Sequence, residues 1–199
     1  MHPRPMISTA ADPGVRAARL RAVLVRHLSF PFCSPANDDE HERWRMDIIY
    51  GKHTVPMDAA TLAVQLRGYQ DILIDLGTGD GRYVRHIAAE RSAWFAIGIG
   101  ACRENLRHAS RRTSPNVLLA IANAHALPRE LAGVATEITI NFPWGSLLTG
   151  LLQREPGLLA GLSTLARPGA VLHVRLNGEA VARRVGPAGG CGGGAAWVG

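Results

Sequence analysis

The stretch Ile72–Tyr83, ILIDLGTGDGRY, decides the fold of this chain. It begins with an apolar run that ends in Asp75, and three glycines follow at alternate positions, 77, 79 and 81. Glycine permits positive φ angles and, without a Cβ, lets the backbone come close to a ligand. The stretch therefore predicts a buried strand, a tight ligand-contacting loop and a helix that begins near Gly81.

Short β-type runs and amphipathic helical runs alternate after this loop. The predicted strands cover residues 72–75, 94–99, 117–121, 137–141 and 170–176, and the predicted helices cover residues 81–90, 103–112 and a leucine-rich region that Pro156 interrupts. This alternation is typical of a parallel sheet covered by helices, so we predict one α/β domain with helices on both faces. In the leucine-rich region we expect a buried stripe formed by Leu147, Leu148, Leu151, Leu152, Leu158, Leu159, Leu162 and Leu165.

The charge of the chain favours a polyanionic partner. The 199 residues carry a net charge of +6, and the sequence pI is about 10.0. Basic side chains bind nucleic acid through phosphate contacts and counterion release. Lys52 is the single lysine, however, and a composition rich in arginine, alanine and glycine also arises in GC-rich genomes. The charge alone leaves both explanations open.

Cysteine and histidine spacing predicts neither a disulfide framework nor a metal site. The three cysteines, Cys33, Cys102 and Cys191, are odd in number and far apart, and the eight histidines show no ligand-type spacing. No apolar run reaches the ~18 residues of a membrane span, and the N-terminus lacks the order of a secretory signal. We expect a cytoplasmic monomer that uses no metal and no membrane.

Both ends of the sequence differ from its middle. Residues 1–45 are interpreted as an N-terminal extension with a short helix around residues 15–27 and a solvated acidic cluster at Asp38–Glu40. Residues 46–178 form the predicted domain, and residues 179–199 a glycine-rich tail. Its last part, GPAGGCGGGAAWVG, is expected to be disordered because it has little bulky apolar surface, so Trp197 is not expected to make a specific contact.

The spacing of the loop glycines distinguishes two kinds of ligand. A dinucleotide-binding loop has the order G-x-G-x-x-G, whereas here the third glycine comes one place earlier and Arg82 follows it. The D-x-G-x-G-x-G order resembles the first motif of S-adenosylmethionine-dependent methyltransferases, which implies a Rossmann-like sheet of their class I. The donor contacts implied by this resemblance are Asp75, Gly77, Thr78, Gly79 and Asp80.

The same resemblance implies that two later segments also bind the donor. An acidic residue normally ends the second strand and accepts hydrogen bonds from the ribose, but here Gly100 takes its place. Glu104, one helical turn later, can also reach the ribose, although an exposed side chain paired with Arg107 or His108 is the simpler interpretation. The implied contacts to the donor's adenine are Asn123, Ala124 and His125, and the family often has a carboxylate where His125 stands.

The segment Glu137–Leu148, EITINFPWGSLL, ends a strand at a Pro-Trp-Gly corner. Ligands of open α/β sheets lie beyond the carboxyl ends of the strands, and a tryptophan held there can offer a flat face to a base. A core tryptophan that covers the leucine helix is the alternative. Together with IDLGTGDGR, ACRENL and IANAHALP, the segment NFPWGSLL resembles the aminoglycoside-resistance methyltransferases that modify N1 of adenine 1408 in 16S rRNA, over about residues 46–178.

This resemblance implies the substrate and the remaining site residues. Trp144 would stack on the flipped-out adenine of the 30S subunit, with Pro143 and Ser146 shaping the pocket, and no general base is needed because N1 carries a lone pair. Residues 47–57 resemble the family's N-terminal β-hairpin, which makes Met46 a candidate start. The family's sheet has seven strands, whereas the predicted strands end after the fifth. We therefore expect incomplete C-terminal strands, an exposed strand edge, marginal stability and weak or absent activity.

Three other functions compete with this interpretation. The order Asn141-Phe-Pro-Trp resembles the motif of exocyclic-amine adenine methyltransferases, but phenylalanine replaces its first proline. A non-catalytic remnant or RNA-binding protein would explain Gly100, His125 and the glycine-rich tail, and salt-sensitive RNA binding without donor affinity would identify it. A nicotinamide oxidoreductase is disfavoured by the glycine spacing.

Overall fold

The computed structural model describes residues 19–22 and 46–185. The strands are β1 (Arg19–Ala22), β2 (Met46–Tyr50), β3 (His53–Met57), β4 (Asp71–Leu76), β5 (Trp94–Gly100), β6 (Val117–Ile121), β7 (Ala135–Asn141) and β8 (Ala166–Arg175). The helices are α1 (Ala59–Leu66), α2 (Arg82–Glu90), α3 (Arg103–Ala109), α4 (Gly145–Leu152), α5 (Pro156–Leu165) and α6 (Gly178–Val185), with 3₁₀ turns at Ser110–Arg112 and Arg129–Leu131.

The strands form one eight-stranded sheet in the order β1-β8-β7-β4-β5-β6-β2-β3. Strands β4 to β8 are parallel to their neighbours among themselves, whereas β1, β2 and β3 pair antiparallel. The predicted α/β sheet is confirmed, with a strand at each of the five predicted positions. The hairpin expected over residues 47–57 is also present, as β2 and β3.

The sheet separates two apolar layers because alternate residues of a strand point to opposite faces. In β4, Ile72 and Ile74 belong to one layer and Leu73 to the other. The first layer is completed by Leu62, Leu147, Leu158, Leu162 and Leu165 from α1, α4 and α5, and the second by Val84, Ala88, Leu106 and Ala109 from α2 and α3. Helices therefore cover both faces, as predicted. The loops that follow β4, β5, β6 and β7 all lie at the carboxyl ends of the parallel strands.

Two expectations about local structure differ from what is observed. The helix predicted around residues 15–27 is wrong where the structure describes it, because Arg19–Ala22 is a strand whose pairing with β8 outweighs local helix propensity. The tail does not begin at residue 179, because α6 occupies Gly178–Val185 and Asn177 Oδ1 accepts a hydrogen bond from the Glu179 amide at its start. Residues 186–199, with Trp197, lie outside the described residues.

The leucine stripe is mostly confirmed. Pro156 begins α5, as its fixed φ favours, and five of the eight leucines are buried. Leu151 and Leu152 are half-buried, and Leu159 is exposed because the residues of α5 that face the sheet are Leu158, Leu162 and Leu165. Among residues 19–22 and 46–185, no helix is long and apolar enough to span a membrane.

Strand β1 covers part of the edge that we expected to be exposed. Its four residues pair with Leu172–Arg175 of β8. Removing residues 1–45 is therefore expected to lower the melting temperature and to promote association, because unpaired strand edges recruit other strands. Thermal unfolding and light scattering of the truncated chain check this, with a chain that lacks only residues 1–18 as the control. Equal melting temperatures for all three chains would contradict a stabilising role for β1.

Candidate functional site

The glycine loop between β4 and α2 is fastened to the neighbouring strand. The amides of Gly77 and Thr78 both donate to the Ile99 carbonyl, at 2.9 and 3.0 Å. These two amides are therefore used in holding the loop onto β5. The turn ends at Gly81, which caps α2 in the left-handed conformation, with φ +70°. The positive φ explains why the sequence has glycine at that point.

Gly77 lies where a side chain has no room. Its φ is +78°, and a Cβ there would come within 2.9 Å of Leu147 Cδ2 on α4. Gly98 of β5 is equally confined, because a Cβ would meet Thr78 and Leu119 at 2.9 Å. Both glycines let separate elements pack closely beneath the loop.

A cavity of about 290 Å³ opens at the carboxyl ends of β4, β5, β6 and β7. It is near the lower end of the ~300–1,000 Å³ typical of small-molecule sites. Its lining comprises Leu76, Gly77, Gly79, Ile99, Gly100, Ala101, Cys102, Asn105, Ala122, Asn123, Ala124, Phe142, Pro143, Trp144, Ser146 and Leu147. The glycine loop and the Pro-Trp-Gly corner, far apart in sequence, thus line one cavity.

The cavity brings together most of the residues singled out from the sequence. The predicted donor contacts in its lining are Gly77, Gly79, Gly100, Asn123 and Ala124, and the predicted target-base contacts are Pro143, Trp144 and Ser146. Asp75, Thr78, Asp80 and His125 are not part of the lining formed by the described residues. Each of these four side chains has a different environment.

Asp75 is buried beneath the loop, with 2% of its surface exposed. Its Oδ1 accepts hydrogen bonds from Thr139 Oγ1 at 2.7 Å and from Asn141 Nδ2 at 2.8 Å. Burial raises the pKa of Asp75 above its ordinary value, and the side chains of Thr139, Thr78 and Asn141 together with the charge of Arg175 oppose that rise. The Thr78 hydroxyl contributes through proximity, because it lacks a partner at hydrogen-bond geometry.

The raised pKa of Asp75 predicts how stability depends on pH. The folded protein holds the Asp75 proton more tightly than the unfolded chain, so this group's stabilisation is lost as pH rises through the folded pKa. In Asp75→Asn this loss is absent, and Asn Oδ1 still accepts both hydrogen bonds. We expect the variant to gain stability relative to the natural protein as pH rises from about 4, the ordinary pKa of an aspartate, into the neutral range. Thermal unfolding across that range checks this, and a relative gain by the natural protein would contradict it.

Asp80 and His125 lie outside the cavity lining and pair with other side chains. Asp80 is exposed and pairs with Arg82, at 2.7 Å. His125 Nδ1 lies 2.9 Å from Glu155 Oε2, and its Cε1 lies 3.0 Å from where a Cβ on Gly150 would be. The histidine therefore joins the segment after β6 to the α4–α5 corner. Its predicted contact to the donor's adenine stays a prediction without a supporting contact.

Two exposed aromatic residues stand at the mouth of the cavity. Trp144 is 65% exposed and Phe142 is 47% exposed, although both follow a buried strand. Phe142 has a φ of +50°, which is rare for a bulky residue, and its amide donates to the Arg175 carbonyl at 2.8 Å. Such exposure excludes the alternative of a core tryptophan over the leucine helix. The arrangement leaves a flat aromatic face free for a ligand.

Sequence reasoning missed Phe142, Cys102 and Asn105 in the lining. The signal for Asn105 and Cys102 was their place at the start of the helix after β5, next to the predicted ribose position. For Phe142 the signal was its place directly before the Pro-Trp-Gly corner. Glu104 does not line the cavity; its carboxylate lies 3.6 Å from the Cys102 thiol and is exposed.

A basic surface adjoins the cavity on the side of α3. Arg103 donates to the Lys52 carbonyl at 3.3 Å, and the Gly51 amide donates to Ser110 Oγ at 2.8 Å, so the tip of the β2–β3 hairpin rests on α3. Arg107 and Arg111 are exposed on the same helix and turn. Within residues 19–22 and 46–185, no group of His, Cys, Asp or Glu is arranged to hold a metal ion. The basic side chains of this surface are suited to contact phosphates.

Comparison with known proteins agrees with this geometry. A profile of the family described as "NpmA: 16S rRNA (adenine(1408)-N(1))-methyltransferase" matches residues 47–190. The enzyme of that name from Streptoalloteichus tenebrarius is 35% identical over 122 residues, which are 57% of this chain and 56% of the relative. The chain thus spans little more than half the length of that curated relative.

Solved structures extend the comparison to three dimensions. The antibiotic-resistance methyltransferase Kmr superposes with a TM-score of 0.65 at 39% identity, covering 67% of this chain and 72% of Kmr. The W203A mutant of the 16S rRNA (adenine(1408)-N(1))-methyltransferase from Catenulisporales acidiphilia, solved with cosubstrate SAM, gives a TM-score of 0.62 at 29% identity, covering 66% and 68%. With a profile match over most of its length, the chain belongs to the 16S rRNA (adenine(1408)-N(1))-methyltransferase family.

Proposed function

We propose that this chain transfers a methyl group from S-adenosylmethionine to N1 of adenine 1408 in 16S rRNA of the 30S subunit, and so confers aminoglycoside resistance. One observation carries the proposal: the glycine loop after β4 and the exposed Trp144 after β7 face the same cavity. A donor held by the loop would present its methyl group toward a base held by the tryptophan. The family match supports this choice of base and nucleic acid.

The residues of the cavity fit the donor. Gly77, Gly79 and Gly100 leave backbone surface open to close approach, and the side chains of Asn105 and Asn123 offer amide donors and acceptors. Leu76, Ile99 and Leu147 supply apolar surface for the adenine and the methylene groups. Asp75, buried below the loop, fixes the end of β4 through its bonds to β7 and is assigned a supporting part in donor binding.

Holding the donor and the target base in the right relative position is sufficient for methyl transfer. When bound, S-adenosylmethionine supplies a sulfonium methyl group, and the electrons of its C–S bond return to sulfur as the carrier leaves. Adenine N1 has a lone pair and no proton, so the chain has no proton to remove. The tasks of its residues are to hold the base in line, to exclude water and to keep the two walls of the cavity fixed.

Trp144 is proposed to hold the target base. Flipping a base out of its stack requires a few kcal/mol, and one aromatic stack returns about 1–3 kcal/mol. Pro143 is buried and fixes the corner, while Ser146 lies beside the tryptophan in the cavity lining. The basic surface around Lys52, Arg103 and Arg107 is proposed to contact rRNA phosphates.

The side chain of Asn141 disfavours methylation of an exocyclic amine. That chemistry needs acceptors that point at the amino group of the base. Here Asn141 Oδ1 accepts from Arg175 Nη1, and Asn141 Nδ2 donates to Asp75. Both ends of the amide are occupied beneath the corner, which supports N1 as the acceptor atom.

Gly100→Asp is expected to tighten donor binding. A carboxylate at the end of β5 can accept hydrogen bonds from the ribose hydroxyls, worth about 1.5–3 kcal/mol each with a charged acceptor. A Cβ at Gly100 would lie 3.4 Å from Leu106, an ordinary contact, so the side chain is tolerated. Calorimetry should show an affinity about tenfold higher or more, since each 1.4 kcal/mol is a factor of ten. An unchanged affinity would mean that the ribose is held elsewhere or that the donor site is not real.

Transfer of a labelled methyl group from S-adenosylmethionine to purified ribosomal subunits tests the proposal. We expect label in 16S rRNA of 30S subunits and none in 50S subunits. Salt-sensitive binding to 30S subunits with neither donor affinity nor transfer would overturn the proposal in favour of a non-catalytic RNA-binding relative. A full-length member of the family serves as the positive control.

A further inference from the structure

Arg175, the last residue of β8, contacts three parts of the site. Its Nη1 donates to Asn141 Oδ1, and its backbone carbonyl accepts from the Phe142 amide at 2.8 Å. Its guanidinium carbon lies 5.8 Å from the centre of the Tyr83 ring on α2. One half-buried side chain thus connects β7, β8 and the helix that follows the glycine loop.

These contacts join the two walls of the cavity. Asn141, held by Arg175, donates to Asp75 at the end of β4, and the glycine loop begins two residues later. On the other side, Phe142 leads directly into Pro143 and Trp144. The hydrogen bond that Arg175 donates to Asn141 and the one that its carbonyl accepts from Phe142 therefore lie between the residues assigned to the donor and those assigned to the target base.

The charge of Arg175 acts on the same network. It is the charged side chain that lowers the pKa of Asp75 against the effect of burial. The neutral groups around that carboxyl are Thr78, Thr139 and Asn141. Farther along this face of β7 and β8, Glu137 and His173 pair with each other at 3.6 Å. Arg175 is thus the charged group that offsets part of the effect of burial on Asp75.

We propose that Arg175 is a positioning residue for methyl transfer, which holds the corner that carries Trp144 in register with the glycine loop after Asp75. The proposal rests on the proposed function, because the register matters only if donor and base meet in this cavity. Arg175 lies outside the cavity lining, and its side chain acts through Asn141, which immediately precedes Phe142. An in-line transfer is sensitive to a misplacement of about 1 Å, so loosening the corner should reduce turnover.

The test compares Arg175→Met, Arg175→Lys and the control Arg91→Met in the full chain. Arg91 also stacks on an aromatic ring, with its guanidinium carbon 4.4 Å from the centre of Trp94, but that ring belongs to the first residue of β5, at the amino end of the strand and away from the cavity. Without donor, hydrogen exchange of the Phe142 amide and the carboxyl titration of Asp75 are followed by NMR. With donor and 30S subunits, kcat and KM are measured, and calorimetry gives the affinity for S-adenosylmethionine.

Arg175→Met keeps the backbone carbonyl that accepts from the Phe142 amide but removes the hydrogen bond from Arg175 Nη1 to Asn141, the residue before Phe142. We expect this loss of a hydrogen bond from a charged group to loosen the corner, so that exchange at Phe142 rises about tenfold or more, and we expect the pKa of Asp75 to rise. We expect kcat to fall by a similar factor while KM changes little. Arg175→Lys should restore the Asp75 titration through its charge and recover part of kcat, since lysine is a single point charge without the fork of arginine. Arg91→Met should match the natural protein in all of these measurements.

The proposal is overturned if Arg175→Met only lowers the melting temperature and leaves Phe142 exchange, the Asp75 titration and kcat unchanged. If Arg175→Met does not fold, Arg175→Lys decides: slower turnover at unchanged KM supports the proposal, and unchanged turnover with unchanged exchange overturns it. The two proposals can also fail separately. If the natural protein does not bind S-adenosylmethionine, while exchange of the Phe142 amide still rises in Arg175→Met, the proposed function is contradicted. The structural role of Arg175 in holding the corner at Phe142 is then supported.

Discussion

Trp144→Ala is expected to lower methyl transfer to 30S subunits on the order of 10- to 100-fold while donor affinity stays unchanged. The tryptophan is 65% exposed at the mouth of the cavity, so its removal takes away little packing. What is lost is the stacking of the indole on the target base, which contributes about 1–3 kcal/mol. Since roughly 1.4 kcal/mol corresponds to a factor of ten in rate, this loss gives the expected range.

Two variants make this prediction specific. Trp144→Phe keeps an aromatic face and should retain most of the rate. Trp94→Ala removes a tryptophan at the other end of the sheet, where it stacks with Arg91, and should leave the transfer rate of the folded protein unchanged. A natural rate in Trp144→Ala would contradict the assigned role and would direct attention to Phe142 as the base-contacting residue.

Gly77→Ala is expected to abolish measurable donor binding. A side chain at φ +78° is strained by about 1–2 kcal/mol, and its Cβ would come within 2.9 Å of Leu147, an overpacking of about 1–3 kcal/mol. Relief requires movement of the loop or of α4, and both line the cavity. Calorimetry with S-adenosylmethionine and thermal unfolding measure the two consequences separately.

Gly133→Ala is the matched control for this substitution. Gly133 also has a positive φ, +65°, but a Cβ there meets nothing within 4 Å, and the residue lies outside the cavity lining. It should lower the melting temperature through backbone strain alone and leave donor affinity intact. If folded Gly77→Ala binds the donor as tightly as Gly133→Ala does, the glycine loop is not the donor site.

The glycine loop and the strand pattern made the core of the fold predictable from sequence. ILIDLGTGDGRY contains a strand, a positive-φ turn and a helix start within one short segment, so local rules were sufficient. The corner at Phe142–Gly145 was predictable for the same reason. Strand β1 was not, because four residues acquire strand structure only by pairing with a partner about 150 positions away.

The side-chain contacts of the site were less predictable. Asp75 and Asn141 are 66 positions apart, and Asn141 and Arg175 are 34 apart, so the network exists only once β4, β7 and β8 are aligned. His125 follows a segment that lines the cavity, yet its side chain turns to Glu155 because Gly150 leaves room beside it. Spacing along the sequence could not show which way that ring points.

Primer extension across the decoding site of 30S subunits, incubated with this protein and S-adenosylmethionine, tests the central claim most directly. Methylation at N1 blocks base pairing, so the account predicts a stop one nucleotide before adenine 1408, absent without donor and strongly reduced with Trp144→Ala. Full read-through with the natural protein, while a full-length family member gives the stop in parallel, would contradict it.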